Sequence, residues 1–463
     1  MLNIQVTPHR EFLPADTPDQ KLFVMLKLRP TKEVSLEKPP TLFAFVIDTS
    51  GSMYEVVTGN FHETGKTVTS DGQSYKEVKG GKAKIDIVIE SLLGLINSGK
   101  LESSDKIALI RFDDTASVLV GLTPATDTQT LEKAIQDLRN YSGGTRMGLG
   151  MRHALDIVSN QDMASRRALI FTDGETFDED QCRELVKEFV ARNIPITALG
   201  VGDYKEDLLI NLSDRTGGRV LHVVDDLSNV SNMAVSISNL PLKIVDEFNL
   251  AKQDVITNLA LTVKTVQSVR LSRVLRAYPS QAEFSLEEDP HPLGNVTAGD
   301  ETVFILEFDI ESRPAAKARI AQIGLTYEVP GENRRGELPP QNLVVQFITG
   351  QAGTAQVDPE VMGYMQQCNI AQIVGQATKL AEQDPDRAEE LLENARRMTV
   401  RLGNNDLLDA LNGAQDELRK TRKISANTRK TVKMGAKGKT VKMMSGDIND
   451  ELSEEKIRQI SGT

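Results

Sequence analysis

Two apolar segments that end in an aspartate restrict the fold of this chain more than any other feature. Leu42–Asp48 has the sequence LFAFVID, and Ala168–Asp173 has the sequence ALIFTD. Continuous apolar runs of this length are typical of strands buried on both faces, as in parallel sheets covered by helices. Amphipathic helical patterns lie between and after them, for example at Ile85–Ile96 and Met147–Val158. The sequence therefore predicts an α/β fold with a doubly wound, mostly parallel sheet over residues 41–240.

Strand patterns without helices flank this region on both sides. LNIQV and KLFVMLKL lie within residues 1–40, and ALTVKTV, TVFILEFDI, ARIAQIGLTYEV and NLVVQFI lie within residues 241–350. The first two strands need a sheet to join, and the later strands can supply one. We therefore predict that the α/β domain is inserted into a β-sandwich whose first strands precede it.

The last part of the chain changes to helical patterns and then loses them. Residues 356–420 have helical periodicity with breaks at EQDPDR and LGNND, which predicts a small bundle of three helices. Residues 421–463 are basic at first and acidic at the end, and they show little apolar periodicity. We predict that this tail is disordered.

The charge distribution bears on the possible partners. The net charge is −12, yet Arg419–Lys442 contains ten Lys or Arg residues and no Asp or Glu, so the rest of the chain carries −22. An acidic body makes nucleic acid an unlikely ligand, because binding phosphates needs a basic face. The chain begins without an apolar leader pattern, no apolar run is long enough to span a membrane, and the two cysteines imply no disulfide framework. We expect a cytoplasmic protein.

Oxygen-bearing side chains follow the two buried strands. Asp48, Ser50 and Ser52 alternate along a tight loop directly after the first strand, and Asp173 ends the second. Thr145 lies in a glycine-rich loop before a helix. In open α/β sheets ligands bind outside the carboxyl ends of the strands, where we expect these groups to meet. Five oxygen donors without nitrogen or sulfur suit Mg²⁺, with Mn²⁺ or Ca²⁺ as alternatives.

The motifs DTSGS, SGGT and FTDGE, in this order, resemble the metal-ion-dependent adhesion site of von Willebrand factor A domains, as found in integrins and Mg-chelatase subunits. The resemblance covers about residues 41–235 and fits a cytosolic bacterial protein with a Rossmann-like sheet. It implies that Ser50, Ser52 and Thr145 are hydroxyl ligands, directly or through water. It also implies that Asp48 and Asp173 hold coordinated waters or the ion itself. The sixth position would receive a Glu or Asp carboxylate from a protein partner.

One segment departs from the family pattern. The family's helix begins soon after the DxSxS loop, but here residues 54–82 intervene, rich in Gly, Thr, Lys and Ser. This segment would lie beside the metal. A specificity loop, a β-hairpin lid and a disordered spacer all remain open.

Enzymatic interpretations are weaker. A phosphoaspartyl hydrolase with Asp48 as nucleophile would need a carboxylate two residues later, where Ser50 stands. The segment GAKGKT resembles a phosphate-binding loop, but the required first glycine is replaced by Lys433 and no buried strand precedes it. Three histidines are isolated in the sequence and fit packed or solvated positions better than catalytic ones: His62, His153 and His222. We predict no enzyme activity.

A short repeat lies in the basic tail. The sequence KTVKM at Lys430–Met434 recurs at Lys439–Met443. Threonines among basic residues suit a Ser/Thr kinase, so we predict phosphorylation of Thr431 and Thr440, with Thr428 a weaker candidate. Similar tails occur in bacterial von Willebrand factor A proteins that work with Ser/Thr kinases and forkhead-associated domains. A solvated charge run with a chance repeat is the alternative.

These features together predict a Mg²⁺-dependent scaffold for protein–protein interaction in bacterial signalling, with a phosphorylated tail read by a forkhead-associated domain. One alternative is an accessory subunit of an AAA+ ATPase complex of the metal-chelatase type. A third is an RNA-binding particle protein of the Ro type. We rank it last because the helical region is short and the body is acidic.

Overall fold

The computed structural model describes residues 1–36, 39–70, 73–161, 164–202, 204–224, 233–350 and 356–443. The chain divides into two compact units, which we name by their order along the sequence. The inserted unit consists of residues 37–257 with residues 330–332. The flanking unit consists of residues 1–36 and 258–329 and of the chain from Asn333 onward.

The flanking unit begins with three strands and a short helix. They are β1 (Leu2–Pro8), β2 (Phe12–Pro14), β3 (Gln20–Pro30) and α1 (Lys32–Leu36).

The inserted unit alternates strands and helices along most of its length, as the sequence predicts. Its elements are β4 (Thr41–Asp48), β5 (Val56–Ser70), β6 (Gln73–Ala83), α2 (Lys84–Ile96), β7 (Lys106–Phe112), β8 (Ala116–Pro124), α3 (Thr128–Asp137), α4 (Met147–Val158), β9 (Ser165–Thr172), α5 (Glu179–Ala191), β10 (Ile196–Val201), α6 (Glu206–Arg215), β11 (Arg219–Val224), β12 (Val235–Ser236) and α7 (Leu240–Lys252).

Seven of these strands form one sheet in the order β12-β11-β10-β9-β4-β7-β8. All neighbours are parallel except β8, which pairs antiparallel with β7 at the edge. Every residue of β4 and of β9 is buried, which explains the apolar runs Leu42–Ile47 and Ala168–Phe171 within them. The predicted α/β fold with a mostly parallel sheet is therefore confirmed.

The segment that departs from the family pattern is a β-hairpin. β5 and β6 form a two-stranded antiparallel sheet, in which Val56 pairs with Ala83 near the base. Of the three alternatives for residues 54–82, the structure contains the hairpin. Its action as a lid stays a prediction.

The remaining strands of the chain form two five-stranded sheets. They are β13 (Asp254–Thr265), β14 (Val269–Tyr278), β15 (Ala282–Phe284), β16 (His291–Thr297), β17 (Thr302–Ile310), β18 (Lys317–Val329) and β19 (Arg334–Ile348). The sheet orders are β1-β3-β17-β14-β15 and β16-β13-β18-β19-β2. β3 pairs antiparallel with both β1 and β17, so the N-terminal strands do join strands from the later region. The face-to-face packing of a sandwich stays a prediction.

Three helices follow where the sequence predicts them: α8 (Pro359–Leu380), α9 (Pro385–Leu402) and α10 (Asn405–Thr421). Each begins after an Asp or Asn whose side chain accepts a hydrogen bond from a backbone N–H in the first turn. Gly403 ends α9 with a left-handed backbone (φ 70°), which glycine adopts without steric penalty.

The prediction that the tail is disordered from residue 421 is wrong for the part that the structure describes. Ala426–Gly438 forms a fourth helix, α11, which packs against α8 and α10. Val432 and Met434 are buried in this contact. Tertiary packing, rather than helix propensity, stabilises such a basic helix, so periodicity alone did not detect it. Residues 444–463, which include the acidic end, lie outside the described residues.

Candidate metal centre

The candidate site lies where two neighbouring parallel strands end. β4 and β9 are hydrogen-bonded neighbours, with Ile47 level with Phe171. Asp48 is the last residue of β4, and Asp173 directly follows β9. Both carboxylates therefore reach the same edge of the sheet, as the sequence predicts. Asp48 is fully buried and Asp173 is 3% exposed.

The first loop holds Asp48 in a fixed position. The Ser50 backbone N–H donates to Oδ1 of Asp48 at 2.8 Å, and the Thr172 hydroxyl donates to Oδ2 at 2.7 Å. Burial, assisted by the charge of Asp173, raises the pKa of Asp48 to about 7, although the bonds from Ser50 and Thr172 oppose this. A buried pair of carboxylates in this arrangement favours a nearby cation.

The hydroxyls of the first loop connect to the second strand. The Ser50 and Ser52 hydroxyl oxygens are 3.2 Å apart, and the Ser52 hydroxyl donates to Oδ1 of Asp173 at 2.7 Å. Four of the five predicted donors thus form one continuous group.

The fifth donor, Thr145, comes from a separate loop that is tied to the first. The Gly51 N–H donates to the Gly143 carbonyl oxygen at 3.0 Å. A β-carbon built on Gly174 would lie 3.9 Å from Oγ1 of Thr145 and 4.0 Å from Oγ of Ser52. The two hydroxyls therefore both lie within about 4 Å of one point at Gly174. The structure brings all five predicted residues together.

The donor set fits a hard divalent cation. It consists of two carboxylates and three hydroxyls from three loops, all of them oxygen donors. Within the part of the chain that the structure describes, no group of three or more His, Cys, Asp or Glu side chains offers an alternative metal site.

Comparison with protein families decides the identity of this region. Residues 43–234 match the family described as von Willebrand factor type A domain, and they contain all three loops of the site. The chain contains a von Willebrand factor type A domain. Below, the A domain denotes this region.

The region after the β-rich segment also has a family match. Residues 359–442 match the family described as Sll0103-like, C-terminal alpha-helical domain. This range includes α11, which agrees with a helical region that extends to Gly438.

One relative and two solved structures match most of the chain at low sequence identity. The uncharacterized protein sll0103 of Synechocystis sp. is 23% identical over 417 residues, which cover 86% of this chain and 88% of that protein. A von Willebrand factor type A structure from Catenulispora acidiphila has a TM-score of 0.73 at 15% identity and covers 96% of this chain and 97% of its own. The ArnB paralog VWA2 from Sulfolobus acidocaldarius has a TM-score of 0.61 at 13% identity, covering 96% of this chain and 100% of its own. At these identities the structural similarities show the fold alone.

The A domain contains a site residue that the sequence did not predict. Lys84, the first residue of α2, donates to Oδ2 of Asp173 at 2.8 Å and to Oε2 of Glu55 at 2.5 Å. It is 4% exposed. Burial alone would lower the pKa of Lys84, but the carboxylates of Asp173 and Glu55 outweigh burial and raise it. The only signal in the sequence was a lysine at the start of an apolar helical pattern, which usually marks a solvated end.

His222, one of the three isolated histidines, is a core residue of the A domain. His222 is 3% exposed, and its Nδ1 lies 2.7 Å from the Tyr204 hydroxyl oxygen. This agrees with the interpretation that it is a packed histidine. Across the described residues, no helix is long and apolar enough to cross a membrane.

The tail threonines occupy three different environments. Thr431 is buried in α11 at 8% exposure. The Thr440 hydroxyl donates to the Pro279 carbonyl oxygen at 2.6 Å. Thr428 lies half-buried in the first turn of α11. A kinase could reach Thr431 only if α11 detached. By accessibility, Thr428 is therefore a better phosphorylation candidate than Thr431, whereas the sequence favoured Thr431.

Proposed function

We propose that the A domain binds a divalent cation, Mg²⁺ in the first place, and uses it to capture a carboxylate of a protein partner. The proposed ligands are Asp48, Ser50, Ser52, Thr145 and Asp173. The observation that supports this most directly is the Ser52 hydroxyl, which lies between Ser50 and Asp173 and so joins two separate loops at one point. A domains commonly mediate protein–protein interactions. We assign the chain no catalytic role.

The donor chemistry explains why such a site suits a carboxylate partner. Hydroxyl ligands carry no formal charge, so a bound cation keeps part of its positive charge. Lys84 neutralises part of the negative charge of Asp173, so a bound cation keeps more of its positive charge for the partner. The donor side chains are held in place before a cation binds, because backbone hydrogen bonds tie the loops that carry them to one another.

The replacement Asp48→Asn tests this proposal. It keeps the shape of the side chain but removes a charge, and we expect it to lower Mg²⁺ affinity at least tenfold in isothermal titration calorimetry while the far-ultraviolet circular dichroism is unchanged. A protein partner that binds the wild-type chain in Mg²⁺ and is released by EDTA should not bind this variant.

Asp105→Asn is the matched control. Asp105 is 1% exposed and precedes β7, so it lies at the opposite edge of the same sheet, where it pairs with Lys252 at 3.0 Å. Its replacement should leave Mg²⁺ affinity unchanged. Wild-type affinity in Asp48→Asn, or an equal loss in both variants, would contradict the proposed ligand set.

A signalling role and its partners stay predictions. Thr428 is the candidate whose phosphate would be favoured at a helix N-terminus, which supports a kinase and a forkhead-associated domain as partners of α11. The accessory-subunit alternative predicts that an AAA+ ATPase co-purifies with the chain. Mapping of phosphorylated residues and identification of co-purified proteins distinguish the two.

A further inference from the structure

A large apolar side chain is exposed next to the candidate metal centre. Phe177 is 76% exposed, and it lies in the loop between β9 and α5, four residues after Asp173. Burying a phenylalanine side chain stabilises a fold, and a fold that leaves one in water lacks that stabilisation. Single exposed apolar residues are ordinary, and position and rigidity must decide what this one does.

The position of Phe177 is tied directly to a proposed metal ligand. Its backbone N–H donates to the Thr145 carbonyl oxygen at 2.9 Å. A β-carbon built on Gly144 would lie 3.0 Å from Cε2 of the phenyl ring, so the ring lies against the loop that carries Thr145. A molecule that reaches the cation beside Thr145 therefore meets this ring.

The backbone on both sides of Phe177 is fixed. The Thr176 hydroxyl donates to the Thr145 carbonyl oxygen at 3.2 Å and accepts from the Met147 N–H at 2.9 Å. The Asp178 carboxylate accepts from the Gly148 N–H at 3.1 Å. An aromatic side chain on a fixed backbone loses little conformational freedom when it is covered, which is typical of residues that dominate a binding interface.

The charges around Phe177 restrict the partner further. Glu175 has a 64% exposed side chain in the same loop, and its carboxylate lies 3.9 Å from the Lys205 ammonium group. Asp114 is exposed and accepts from the Gly144 N–H at 2.9 Å. Further acidic residues of a partner would be repelled by Asp114 and, less strongly because Lys205 lies nearby, by Glu175, so the acidic residue that reaches the cation is the one that is favoured.

We infer that Phe177 is the apolar anchor of the ligand-binding face, and that the partner is a protein segment with one acidic residue, an aliphatic or aromatic residue close to it, and otherwise neutral or basic residues. The acidic residue completes the coordination of the cation while the apolar one covers the ring. This inference rests on the proposed function and adds the chemistry of the partner.

Selection from a random displayed peptide library tests the inference and requires no identified partner. The full chain is immobilised in Mg²⁺, and bound peptides are released with EDTA. We expect them to combine one acidic residue with a neighbouring apolar residue. They should bind Phe177→Ser at least tenfold more weakly and Phe177→Leu within about threefold of wild type, while Mg²⁺ affinity is unchanged in both.

Leu242→Ser is the matched control, because Leu242 is 70% exposed on α7 of the same unit. It should leave peptide affinity unchanged. If EDTA-released peptides bind Phe177→Ser as tightly as wild type, the inference is wrong and the proposed function stands. If EDTA releases no more peptide from wild type than from Asp48→Asn, the proposed function fails and the inference fails with it.

Discussion

Lys84→Met should increase the affinity of the A domain for its cation. The Lys84 ammonium group is 2.8 Å from Oδ2 of Asp173, a proposed ligand, and its side chain is 5% exposed. A cation that approaches Asp173 therefore meets a fixed positive charge in a poorly solvated place. Methionine keeps the length and apolar character of the side chain but removes the charge.

The size of the effect follows from how strongly a neighbouring charge changes the affinity of a carboxylate for a positively charged ligand. A single charge within about 4–6 Å changes the affinity of a carboxylate for a proton by roughly 1–3 pKa units, or about 1.4–4 kcal/mol. A divalent cation is subject to the same repulsion from Lys84. Solvent screening is small at this burial, so at least about a tenfold decrease in the dissociation constant for Mg²⁺ or Mn²⁺ is expected.

The same replacement should destabilise the protein when no divalent cation is present. Removing one partner of a buried ion pair leaves the other charge unpaired and costs about 3–5 kcal/mol. A saturating cation then restores stability, so the cation-induced rise in melting temperature should be larger in Lys84→Met than in wild type. Lys84→Arg keeps the charge and should resemble wild type in both respects.

Electron paramagnetic resonance of free Mn²⁺, calorimetry with Mg²⁺ and thermal unfolding with and without cation measure these effects. A structural role alone would lower stability and leave the affinity unchanged or weaker. Unchanged or weaker cation binding by Lys84→Met, in a variant that folds, would refute the electrostatic argument.

Two further predictions concern the flanking unit. His9 is 1% exposed, its Nδ1 accepts from the Phe23 N–H at 3.1 Å, and burial, assisted by Arg10, lowers its pKa from 6.5 to about 3. The folded state therefore binds a proton less readily than the unfolded chain, and stability that is complete above pH 6.5 is lost as the pH falls toward 3. Between pH 8 and pH 5 denaturant unfolding should show a loss of about 2 kcal/mol, and His9→Asn should lack this component. Thr431→Val removes one hydroxyl and should change the free energy of unfolding by less than about 1.5 kcal/mol, the net value of one hydrogen bond, whereas Thr431→Asp buries a charge in α11 and should lower it by about 3 kcal/mol or more. Equal stability of these two variants would show that α11 is not packed at this position.

Local patterns were sufficient to predict the elements that place the metal site. β4 and β9 are buried along their whole length, and the residues that precede Asp48 and Thr172, Leu42–Ile47 and Ala168–Phe171, are all apolar. The rule that parallel strands end at one edge then brings Asp48 and Asp173 together, although they are far apart in sequence. Helices α8, α9 and α10 were predictable for a similar reason, since Asp or Asn caps mark their beginnings.

Long-range packing explains what local patterns could not predict. α11 has few apolar residues, and only its contacts with α8 and α10 show why Val432 and Met434 belong inside. The hairpin of β5 and β6 has few large apolar residues and many Gly, Thr and Lys residues, a composition that loops and spacers share. In both cases the composition of the segment fitted more than one structure, and the neighbours in space decided between them.

Lys84 and Phe177 escaped sequence analysis because each contradicts the local rule for its residue type. A lysine is expected in solvent, but Lys84 is buried against Asp173, and a phenylalanine is expected in the core, but Phe177 is exposed beside Thr145. Neither placement improves the stability of the fold by itself, since one buries a charge and the other leaves an apolar ring in water. Lys84 contacts Asp173, and Phe177 contacts Thr145, so Lys84 can adjust the charge available to a cation and Phe177 can contact what that cation binds. When local rules fail together at one place in an otherwise regular fold, that place is expected to be a binding site.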